Sequence, residues 1–586
     1  MSTVSSYSSH GRVSRRRLLR GAVVTVGGLA GAAMVGCSSS APKPAATAAA
    51  PQAAGTSAPV ARKYPPGQKI PIVAGKIKDG GTFTEGATTV SSEFDSHTGL
   101  TSHVQRNSGD LALLPDQWTG ELVPSLVESW EVPDPTTFIL KLRDNVALHD
   151  IPPWNGRIFN VEDLAFNFNR IAGNTAEAEG LPKAAFQRAA TMNGLKSVEI
   201  VDKSRVKLTL NGPNGQFLSG LTDHRSFMIP KEQVQVGFKD PLKLAHTGQY
   251  TLTEFDRTKE VYTRFDKSWR GKPHIDTFKR IVIPDRAAIA AAFISKQTTA
   301  LAGPTPTEQK TIASARPDAL YYESSGYQWN NLRPNTKYGA LSDARVRKAI
   351  SLSLNFPEMA EANYGKAASY WGVIGNPYPE AWTSEKVLTL PGYNVSTKDK
   401  DIAEGVKMMT ASGHAGGEGV AYEILVSFGS IPYRENSLRM QAQLQKIFPK
   451  IKIIVKPAAD AVSFSKLQSG KDFQVIAYTV GANSAASLEA YTHYHTKGSR
   501  NYGSFSNAEC DALLEKSVAA IKTEERKQIL ETWQTKVFEE WMPIWAFAHP
   551  PVNAFVQPNL QGFEVGMGPW SEWWEYYRIG DMGFIG

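Results

Sequence analysis

Few residues of this chain have the spacing that metal binding or catalysis requires. His493 and His495 are alternate residues that would share one face of a strand, and two such imidazoles could ligate a metal ion. No third ligand lies beside them in the sequence, so we interpret the pair as polar surface or loop residues and expect no metal site. The G-x-S-x-G and H-E-x-x-H motifs, an S-x-x-K motif with its companion motifs, and a glycine-rich phosphate loop are missing from the sequence. We therefore expect neither a catalytic residue nor a cofactor.

Two further groups of residues have side chains that a binding site could use. Arg345 and Arg347 could pair with a ligand carboxylate, because a guanidinium group binds a carboxylate through two parallel hydrogen bonds. They follow Asp343, a residue type that favours the start of a helix, so they could equally belong to the helix. The aromatic tail 570–577 could stack on a sugar, but we interpret it as packing against the body of the protein.

The composition is that of an ordinary water-soluble globular protein. Apolar residues make up 41% of the 586 residues and charged residues 20%. The formal net charge of +8 includes five arginines within residues 1–36, a segment without acidic residues, so the remainder carries only +3. That charge is too small for a nucleic-acid-binding surface. After Cys37 the only cysteine is Cys510, which excludes an intramolecular disulfide in the chain that follows.

The first 37 residues have the pattern of an export signal. A twin-arginine block at 14–20 precedes an uncharged, weakly apolar stretch of glycine, alanine and valine that ends at Cys37. The stretch is too short to span a bilayer stably. Residues 34–37 resemble a bacterial lipobox, which predicts cleavage of the signal and lipidation of Cys37. Two alternatives remain open: a soluble form cleaved without a lipid, and a basic N-terminus in front of an ordinary helix.

Residues 38–75 have the composition of a linker. Serine, alanine, proline, threonine and glycine dominate, and large apolar side chains are too few to bury a core. A flexible coil of this length would span on the order of 35 Å. We therefore expect a disordered tether that holds the folded part of the protein away from a membrane.

The elements that follow differ between the two halves of the chain. The first half predicts short strands, among them 137–142 and a hairpin around 202–204, with a helix that begins at Asn160. The second half alternates helices (398–412, 434–448, 460–469, 507–519 and 523–541) with strands (451–456 and 473–479). Such alternation favours crossover connections and a parallel sheet. The sequence thus predicts a mixed α+β lobe and an α/β lobe.

Several blocks of the sequence resemble one family. LVPSLVESWE at 122–131, FILKLRDNVALHD at 138–150 and VEDL at 161–164 are similar, almost residue for residue, to the family 5 extracellular solute-binding proteins of ABC importers. These include dipeptide, oligopeptide and nickel binders. Four more blocks follow in the family's order. They are TGQY (247–250) with WRGKP (269–273), NN (330–331) with DARVRKA (343–349), YGKA (364–367) and WMPI (541–544).

The resemblance implies a two-lobed fold of the periplasmic-binding-protein type II, or "Venus flytrap", class. Lobe one would comprise 76–325 and be divided into two subdomains, and lobe two would comprise 326–545. Residues 546–586 would return to lobe one. The ligand would be enclosed between the lobes, and no bond would be made or broken. The resemblance also implies that Arg345 and Arg347 fix the start of their helix rather than bind a ligand.

The resemblance implies binding residues as well. Peptide-binding members carry an aspartate that captures the peptide's ammonium group, and Asn483 stands at the matching position. A neutral amide suits a hydroxyl or carbonyl group instead, which weakens the peptide interpretation and favours a neutral ligand such as an oligosaccharide. Trp118, Trp371 and Tyr478 are the aromatic side chains that we expect in the cleft.

Two classes of function follow from the resemblance. One is the solute-binding component of an ABC importer, which captures a peptide or another small oligomeric solute and delivers it to the permease and ATPase subunits. The other is a surface lipoprotein of the same fold that acts as a sensor, chaperone or non-transport binder. For either class we expect an exported protein, anchored by its lipid to the outer face of the cytoplasmic membrane.

The export signal can be tested by substitution. Replacing Arg15 and Arg16 together by lysine should abolish translocation, because the twin-arginine block would be lost. Cys37→Ser should release the exported protein in soluble form, because no acyl chain could be attached. Membrane fractionation measures both effects. A Cys37→Ser protein that still sediments with membranes would contradict lipid anchoring.

Overall fold

The structure is a computed structural model that describes most of the chain after residue 76. Across the described ranges, no helix combines the length and apolar character needed to cross a bilayer. Cys37, Trp118, Asn483 and the tail 570–577 lie outside these ranges. The described residues are 62–63, 77–99, 103–116, 121–223, 225–324, 326, 328–375, 378–427, 430–480, 485–563, 580 and 582–585.

Residues 62–324 contain short strands and six α-helices within the described ranges. The strands are β1 (Arg62–Lys63), β2 (Ile77–Lys78), β3 (Thr82–Ala87), β4 (Leu113–Pro115), β5 (Leu122–Pro124), β6 (Val127–Asp134), β7 (Thr137–Leu142), β8 (Leu195–Ile200), β9 (Arg205–Leu210), β10 (Tyr250–Phe255), β11 (Lys259–Arg264), β12 (Thr277–Val282), β13 (Ala300–Ala302) and β14 (Leu320–Ser324). The helices are α1 (His103–Ser108), α2 (Val161–Ile171), α3 (Phe217–Gly220), α4 (Gln233–Val236), α5 (Arg286–Ile294) and α6 (Pro306–Ala315).

The second half of the chain is mainly helical and ends in short strands. Its strands are β15 (Trp329–Pro334), β16 (Ala421–Val426), β17 (Lys452–Pro457), β18 (Val475–Val480), β19 (Trp545–Ala548), β20 (Val552–Val556), β21 (Leu560–Gln561) and β22 (Gly583–Ile585). Its helices are α7 (Ala344–Ser353), α8 (Phe356–Tyr364), α9 (Ser384–Val387), α10 (Lys398–Ala411), α11 (Ile431–Ile447), α12 (Ala461–Gly470), α13 (Ala486–Tyr494), α14 (Ala508–Ala519) and α15 (Thr523–Lys536).

The largest sheet has eight strands in the order β1-β14-β20-β13-β3-β12-β11-β10. β20 comes from the far end of the chain and pairs antiparallel with both β13 and β14, so that Phe555 lies opposite Leu301 and Tyr321. β1 pairs in parallel with the edge of β14, although Arg62 and Lys63 belong to the predicted linker. An edge strand has unpaired backbone groups, so even two residues of polar chain can pair there. We call this sheet with its helices the main part of lobe one.

A second sheet, β6-β7-β9-β8, forms a small subdomain of lobe one with α2. β7 and β9 alternate more and less buried residues, as a strand with one face on a core requires. α2 begins at the predicted cap, where Asn160 Oδ1 accepts a hydrogen bond from the backbone N–H of Asp163 at 3.1 Å. The Asp163 carboxylate accepts from the backbone N–H of Asn160 at 3.0 Å, which completes a capping box. The predicted strand, hairpin and helix start are confirmed.

Lobe two is built on the five-stranded sheet β17-β16-β18-β15-β19. β16 pairs in parallel with both β17 and β18, as the alternation of helices and strands predicts. β15 pairs antiparallel with both β18 and β19, so the prediction of a parallel sheet is wrong for β15, which runs opposite to the other four strands. The physical reason is that β15 enters lobe two directly from lobe one and not through a helix of this lobe. β19 is reached from β18 through α13, α14 and α15, and it runs in the same direction as β18.

The predicted helix 523–541 ends sooner than expected. α15 stops at Lys536, and Val537–Trp541 form a wider π-helical turn. Arg347 explains where the carbonyl groups of this turn find donors: its Nη2 donates to the carbonyl of Trp541 at 2.6 Å and its Nε to that of Met542 at 2.9 Å. A buried guanidinium therefore replaces helical hydrogen bonds that the turn does not make.

The other hydrogen bonds of these arginines lie at the start of α7. Arg347 Nη1 donates to the carbonyl of Leu341 at 2.7 Å. Arg345 is exposed and pairs with Asp343, the N-cap residue of α7, at 2.6 Å. Both arginines thus bond to residues at the start of α7, in agreement with the structural interpretation.

Two short segments join the lobes: one leads from β14 to β15, and the other from β19 to β20. They lie against each other at Gly326 and Pro550. A Cβ atom added to Gly326 would lie 1.7 Å from the carbonyl oxygen of Pro550, so any side chain at residue 326 would push the segments apart. The chain therefore crosses between the lobes through a hinge made of two closely packed backbones.

Three histidines are buried together in lobe one: His97, His149 and His246. Arg170 Nη1 lies 3.0 Å from His97 Nδ1, and His97 Nε2 lies 2.9 Å from the carbonyl of Phe227. A guanidinium only donates, so Nδ1 accepts and the ring is neutral with its proton on Nε2. Burial, together with the charge of Arg170, lowers the pKa of His97 to about 4. Burial also lowers the pKa of His149 to about 4 and that of His246 to about 3.

We expect the free energy of unfolding to fall as the pH drops from roughly 6.5 to 4. The unfolded chain protonates histidine at a pKa near ~6.5, whereas the folded protein keeps these rings neutral, so the unfolded state binds more protons in this window. Each histidine should cost about 2 kcal/mol by pH 5. Urea unfolding at pH 7, 6 and 5 measures this loss. The variant His149→Gln should show a smaller decrease of the free energy of unfolding over the same pH range. A free energy that stays constant over this window would contradict the account.

Candidate functional site

A cavity of about 780 Å³ lies between the small subdomain of lobe one and lobe two. This is the size that a small organic or oligomeric ligand requires. Residues between 184 and 225 form one wall, and residues between 488 and 518 form the other. The charged side chains of its lining are Arg188, Asp223 and Arg225 from lobe one, and Glu489, Lys497, Arg500 and Glu515 from lobe two.

The wall of lobe one is centred on Arg188, which lies between two single 3-10 turns, Lys183–Ala185 and Ala189–Met192. Arg188 is 3% exposed. Its Nε lies 3.8 Å from Asp223 Oδ1, which is an ion pair but too long for a hydrogen bond. Burial lowers the pKa of Arg188 to about 10. The positive charges of Arg225 and Arg500 also lower it, whereas the negative charges of Asp223 and Glu93 raise it. This wall therefore holds a guanidinium group at a cost in free energy.

The wall of lobe two comes from α13 and the loop that follows it. Glu489 lies on α13 with its Oε2 3.3 Å from Nε2 of His493, one turn further along. Burial lowers the pKa of His493 to about 4, so the imidazole is neutral at physiological pH. Tyr491, Arg500 and Tyr502 complete this wall. The wall offers both charged and aromatic contacts to a ligand.

A buried arginine supports this wall from behind. Arg333 on β15 is 1% exposed, and its guanidinium carbon lies 5.6 Å from the ring centre of Tyr478 and 4.9 Å from that of Tyr494. Its Nη1 donates to the carbonyl of His493 at 3.1 Å and to that of Arg500 at 3.4 Å. The backbone of the wall is therefore tied to β15 of the five-stranded sheet.

Two of the three predicted aromatic residues, Tyr478 and Trp371, are described, and they lie near the two strands that flank β15. Tyr478 is on β18, is buried, and makes an edge contact with Tyr502 of the cavity wall at 5.9 Å between ring centres. Trp371 is half-buried and donates from Nε1 to Ser369 Oγ at 3.0 Å; its backbone N–H donates to His549, just after β19. Among the described residues, no hydrogen bond or ring contact joins the two aromatics.

The two histidines do not lie on a strand, and their interpretation as polar surface or loop residues is wrong, because each is only 2% exposed. His493 lies in the last turn of α13 and His495 is its C-cap residue, so the two rings do not share a face. His493 faces Glu489, whereas His495 Nε2 lies 3.2 Å from Glu515. The apolar residues around 486–494 have the four-residue spacing of a helix, which the alternation of the two histidines concealed.

Direct hydrogen bonds connect the two walls beside the cavity. The backbone N–H of Gly215 donates to the carbonyl of Val518 at 3.0 Å. The backbone N–H of Ser487, at the start of α13, donates to Gln216 Oε1 at 3.1 Å. These contacts hold the small subdomain against lobe two in the observed arrangement. The glycine- and proline-rich stretch 212–215 marks a turn in the sequence, but it carries no signal for this contact.

Curated relatives match most of this chain at low identity. The sequence model described as "Bacterial extracellular solute-binding proteins, family 5 Middle" matches residues 121–502. The dipeptide-binding protein of Escherichia coli K12 is 24% identical over 481 residues, which cover 76% of this chain and 84% of that protein. Heme-binding protein A of Haemophilus influenzae is 22% identical over 466 residues, which cover 76% of this chain and 82% of that protein.

Solved structures share the fold. The periplasmic binding protein DppA from Helicobacter pylori, in complex with peptide STSA, superposes with a TM-score of 0.71 at 19% identity and covers 87% of this chain and 99% of that one. The substrate-binding protein CtaP from Listeria monocytogenes superposes with a TM-score of 0.72 at 18% identity. The match covers 87% of this chain and 100% of that one. The family model spans well over half of the chain. This protein belongs to the family 5 bacterial extracellular solute-binding proteins of ABC importers.

Proposed function

We propose that this protein captures a peptide-like oligomeric solute in the cavity between its lobes and delivers it to an ABC permease and its ATPase. The position of the cavity carries the proposal, because its two walls come from different lobes and a bound solute would contact both. Relatives named as dipeptide- and di/tripeptide-binding proteins, and a structural neighbour in complex with a peptide, support a peptide-like backbone for the solute. Binding without bond cleavage is part of the proposal.

Closure of the hinge would follow from this arrangement. A solute that contacts both walls stabilises only the form in which the walls are close together, so it shifts the population toward that form. The hydrogen bonds at Gly215 and Gln216 would exist only in the closed form. The permease could then distinguish loaded from empty protein by shape.

The predicted site residues receive roles that can be tested. Tyr478 would support the cavity wall through Tyr502, because it is buried behind it. Trp371, half-buried beside the hinge, and Trp118 would contribute aromatic surface to the cleft. Asn483 would offer its amide to a carbonyl or hydroxyl group of the solute.

The leader and linker complete the proposal. Export through the twin-arginine block, lipidation of Cys37 and a tether at 38–75 would place the binding lobes outside the cytoplasmic membrane within reach of the permease. A chain with two or more acyl groups would stay in the membrane stably. The lobes would then capture solute while remaining attached to the cell.

Asn483 should determine the preference at one end of the solute. Without a carboxylate there, a buried ammonium group would lack a partner, so we expect poor binding of peptides with a free amino terminus and better binding of N-acetylated peptides. Asn483→Asp should strengthen the binding of peptides with a free amino terminus by roughly 1.5–3 kcal/mol, which is about tenfold to a hundredfold in affinity. Calorimetry with both peptide sets and with neutral oligosaccharides measures this. Micromolar binding of free peptides by the unmodified protein would refute the role of Asn483, and binding of the saccharides alone would refute the peptide-like solute.

Gly215 should control the approach of the walls. A Cβ atom at this residue would lie 2.3 Å from the carbonyl oxygen of Ala520, so a side chain would block the contact with lobe two. Overpacking of this kind costs roughly 1–3 kcal/mol, so we expect Gly215→Val to weaken solute binding about tenfold or more. Gly212→Val is the matched control, because no atom lies within 4 Å of a Cβ placed there. Equal affinities of the two variants would contradict closure at this contact.

A further inference from the structure

Asparagine is followed directly by glycine at four places in this chain, all of them in lobe one. The four pairs are residues 155–156, 193–194, 211–212 and 214–215. Asparagine is a thermally labile residue, and a following glycine has no side chain that would keep its backbone nitrogen away from the carboxamide. Each pair can therefore deamidate without an enzyme. The pairs are alike in sequence, but they differ in their surroundings.

Deamidation of such a pair consumes water and releases ammonia. The backbone nitrogen of the glycine loses its proton to a base in the solvent and attacks Cγ of the asparagine. The N–Cγ bond forms, the Cγ–Nδ2 bond breaks, and the amide nitrogen takes up a proton and leaves as ammonia. Water then opens the resulting succinimide ring at either carbonyl, which gives aspartate or isoaspartate. The reaction needs a glycine N–H group that solvent can reach.

The N–H group of Gly215 differs from those of the other three glycines. It donates to the carbonyl of Val518 in lobe two at 3.0 Å, whereas the N–H groups of the other three have no recorded partner in the described ranges. A Cβ atom on Gly215 would lie 2.3 Å from the carbonyl oxygen of Ala520, but none on Gly194 or Gly212 would have an atom within 4 Å. Lobe two therefore covers the attacking nitrogen of the 214–215 pair.

The carboxamide of Asn214 is held beside this nitrogen. Asn214 is half-buried in the lining of the cavity, and its Oδ1 accepts a hydrogen bond from the backbone N–H of Gln216 at 3.0 Å. This turn encloses Gly215 and draws electron density away from Cγ, which favours attack there. Nδ2, which leaves as ammonia, has no recorded hydrogen bond within the described part of the chain. The contact with lobe two is thus what restrains the reaction.

We propose that the Asn214–Gly215 pair is a site of spontaneous deamidation that reacts in the open form of the protein and is protected in the closed form. The conversion itself needs only this pair and water. The protection rests on the proposed function, because it requires that the walls separate without solute and meet when solute is bound. In the open form the N–H group of Gly215 returns to solvent and resembles those of the other three pairs.

The products weaken the contact that protects the site. Isoaspartate inserts one additional carbon atom into the backbone before Gly215, which moves its N–H group away from the carbonyl of Val518. Both products place a carboxylate where Asn214 gives the cavity a neutral amide. We expect the converted protein to bind solute about twofold to tenfold more weakly, as the loss of one hydrogen bond predicts. A bound solute therefore preserves the protein that binds it.

Peptide mapping by mass spectrometry measures all four asparagines in one sample. The protein is incubated at mildly alkaline pH alone and with N-acetylated trialanine, or the tightest binder of the calorimetric set, at saturation. Without solute we expect Asn214 to convert along with the other three. Solute should slow Asn214 by about tenfold or more, because the rate follows the open fraction, and leave the other three pairs unchanged. These three pairs are the matched controls.

Two variants locate the effect. Gln216→Ala removes the second hydrogen bond between the walls, which Gln216 Oε1 accepts from the backbone N–H of Ser487. With solute present, Asn214 should convert about twofold to tenfold faster in this variant than in the wild type. Asn214→Ser can keep the turn through its hydroxyl group but cannot deamidate, so its affinity should survive an incubation that weakens the wild type. Circular dichroism and thermal unfolding establish that each variant is folded.

The outcomes separate this inference from the proposed function. If Asn214 stays intact without solute while the other three asparagines convert, the site is overturned whether or not peptides bind. If Asn214 converts equally fast with and without saturating solute, the protection is overturned and closure at this contact is contradicted. If no peptide of the set binds, the proposed function is contradicted, and the sample without solute still decides the site.

Discussion

The two lobes depend on one backbone contact, where Gly326 lies against Pro550. Both segments that join the lobes pass through this point, so the relative positions of the two sheets are set by two short segments side by side. One segment supplies β15 to lobe two, and the other supplies β20 to the middle of the eight-stranded sheet. A side chain at residue 326 would separate them, which is why only glycine fits. The contacts across the cavity involve other residues than this hinge, so they can change while the hinge remains intact.

The walls of the cavity combine two kinds of interaction with different consequences. The hydrogen bonds of Gly215 and Gln216 across the gap are neutral and hold the walls together in the observed arrangement. Charged side chains of both signs also line the two walls, among them Arg188 of lobe one and Glu489 of lobe two. A solute that contacts both walls adds its own interactions to these and shifts the population toward the form that it fits better. A binding protein needs both forms, since a permanently closed form could not release its solute.

Local signals in the sequence predict much of the fold. The cap at Asn160, the alternation in 137–142 and the helix–strand order of lobe two depend on residues close in sequence. The antiparallel β15, the π-helical turn at Val537–Trp541 and the hinge contact depend on residues about two hundred apart, and no local pattern encodes them. The residues of the candidate site likewise include some that the sequence makes conspicuous and others that only the structure reveals. Aromatic residues such as Tyr478 attract attention in a sequence, whereas Arg188 resembles any surface arginine until its burial is known.

Small-angle X-ray scattering tests the central claim, which is that a solute closes the two lobes around the hinge. The protein would be measured alone and with a solute at saturation, with binding established by calorimetry on the same sample. The account predicts a smaller radius of gyration and a shorter maximum dimension for the bound protein, because the walls approach each other. Scattering curves that coincide at saturating solute would contradict it and would indicate a rigid two-lobed protein.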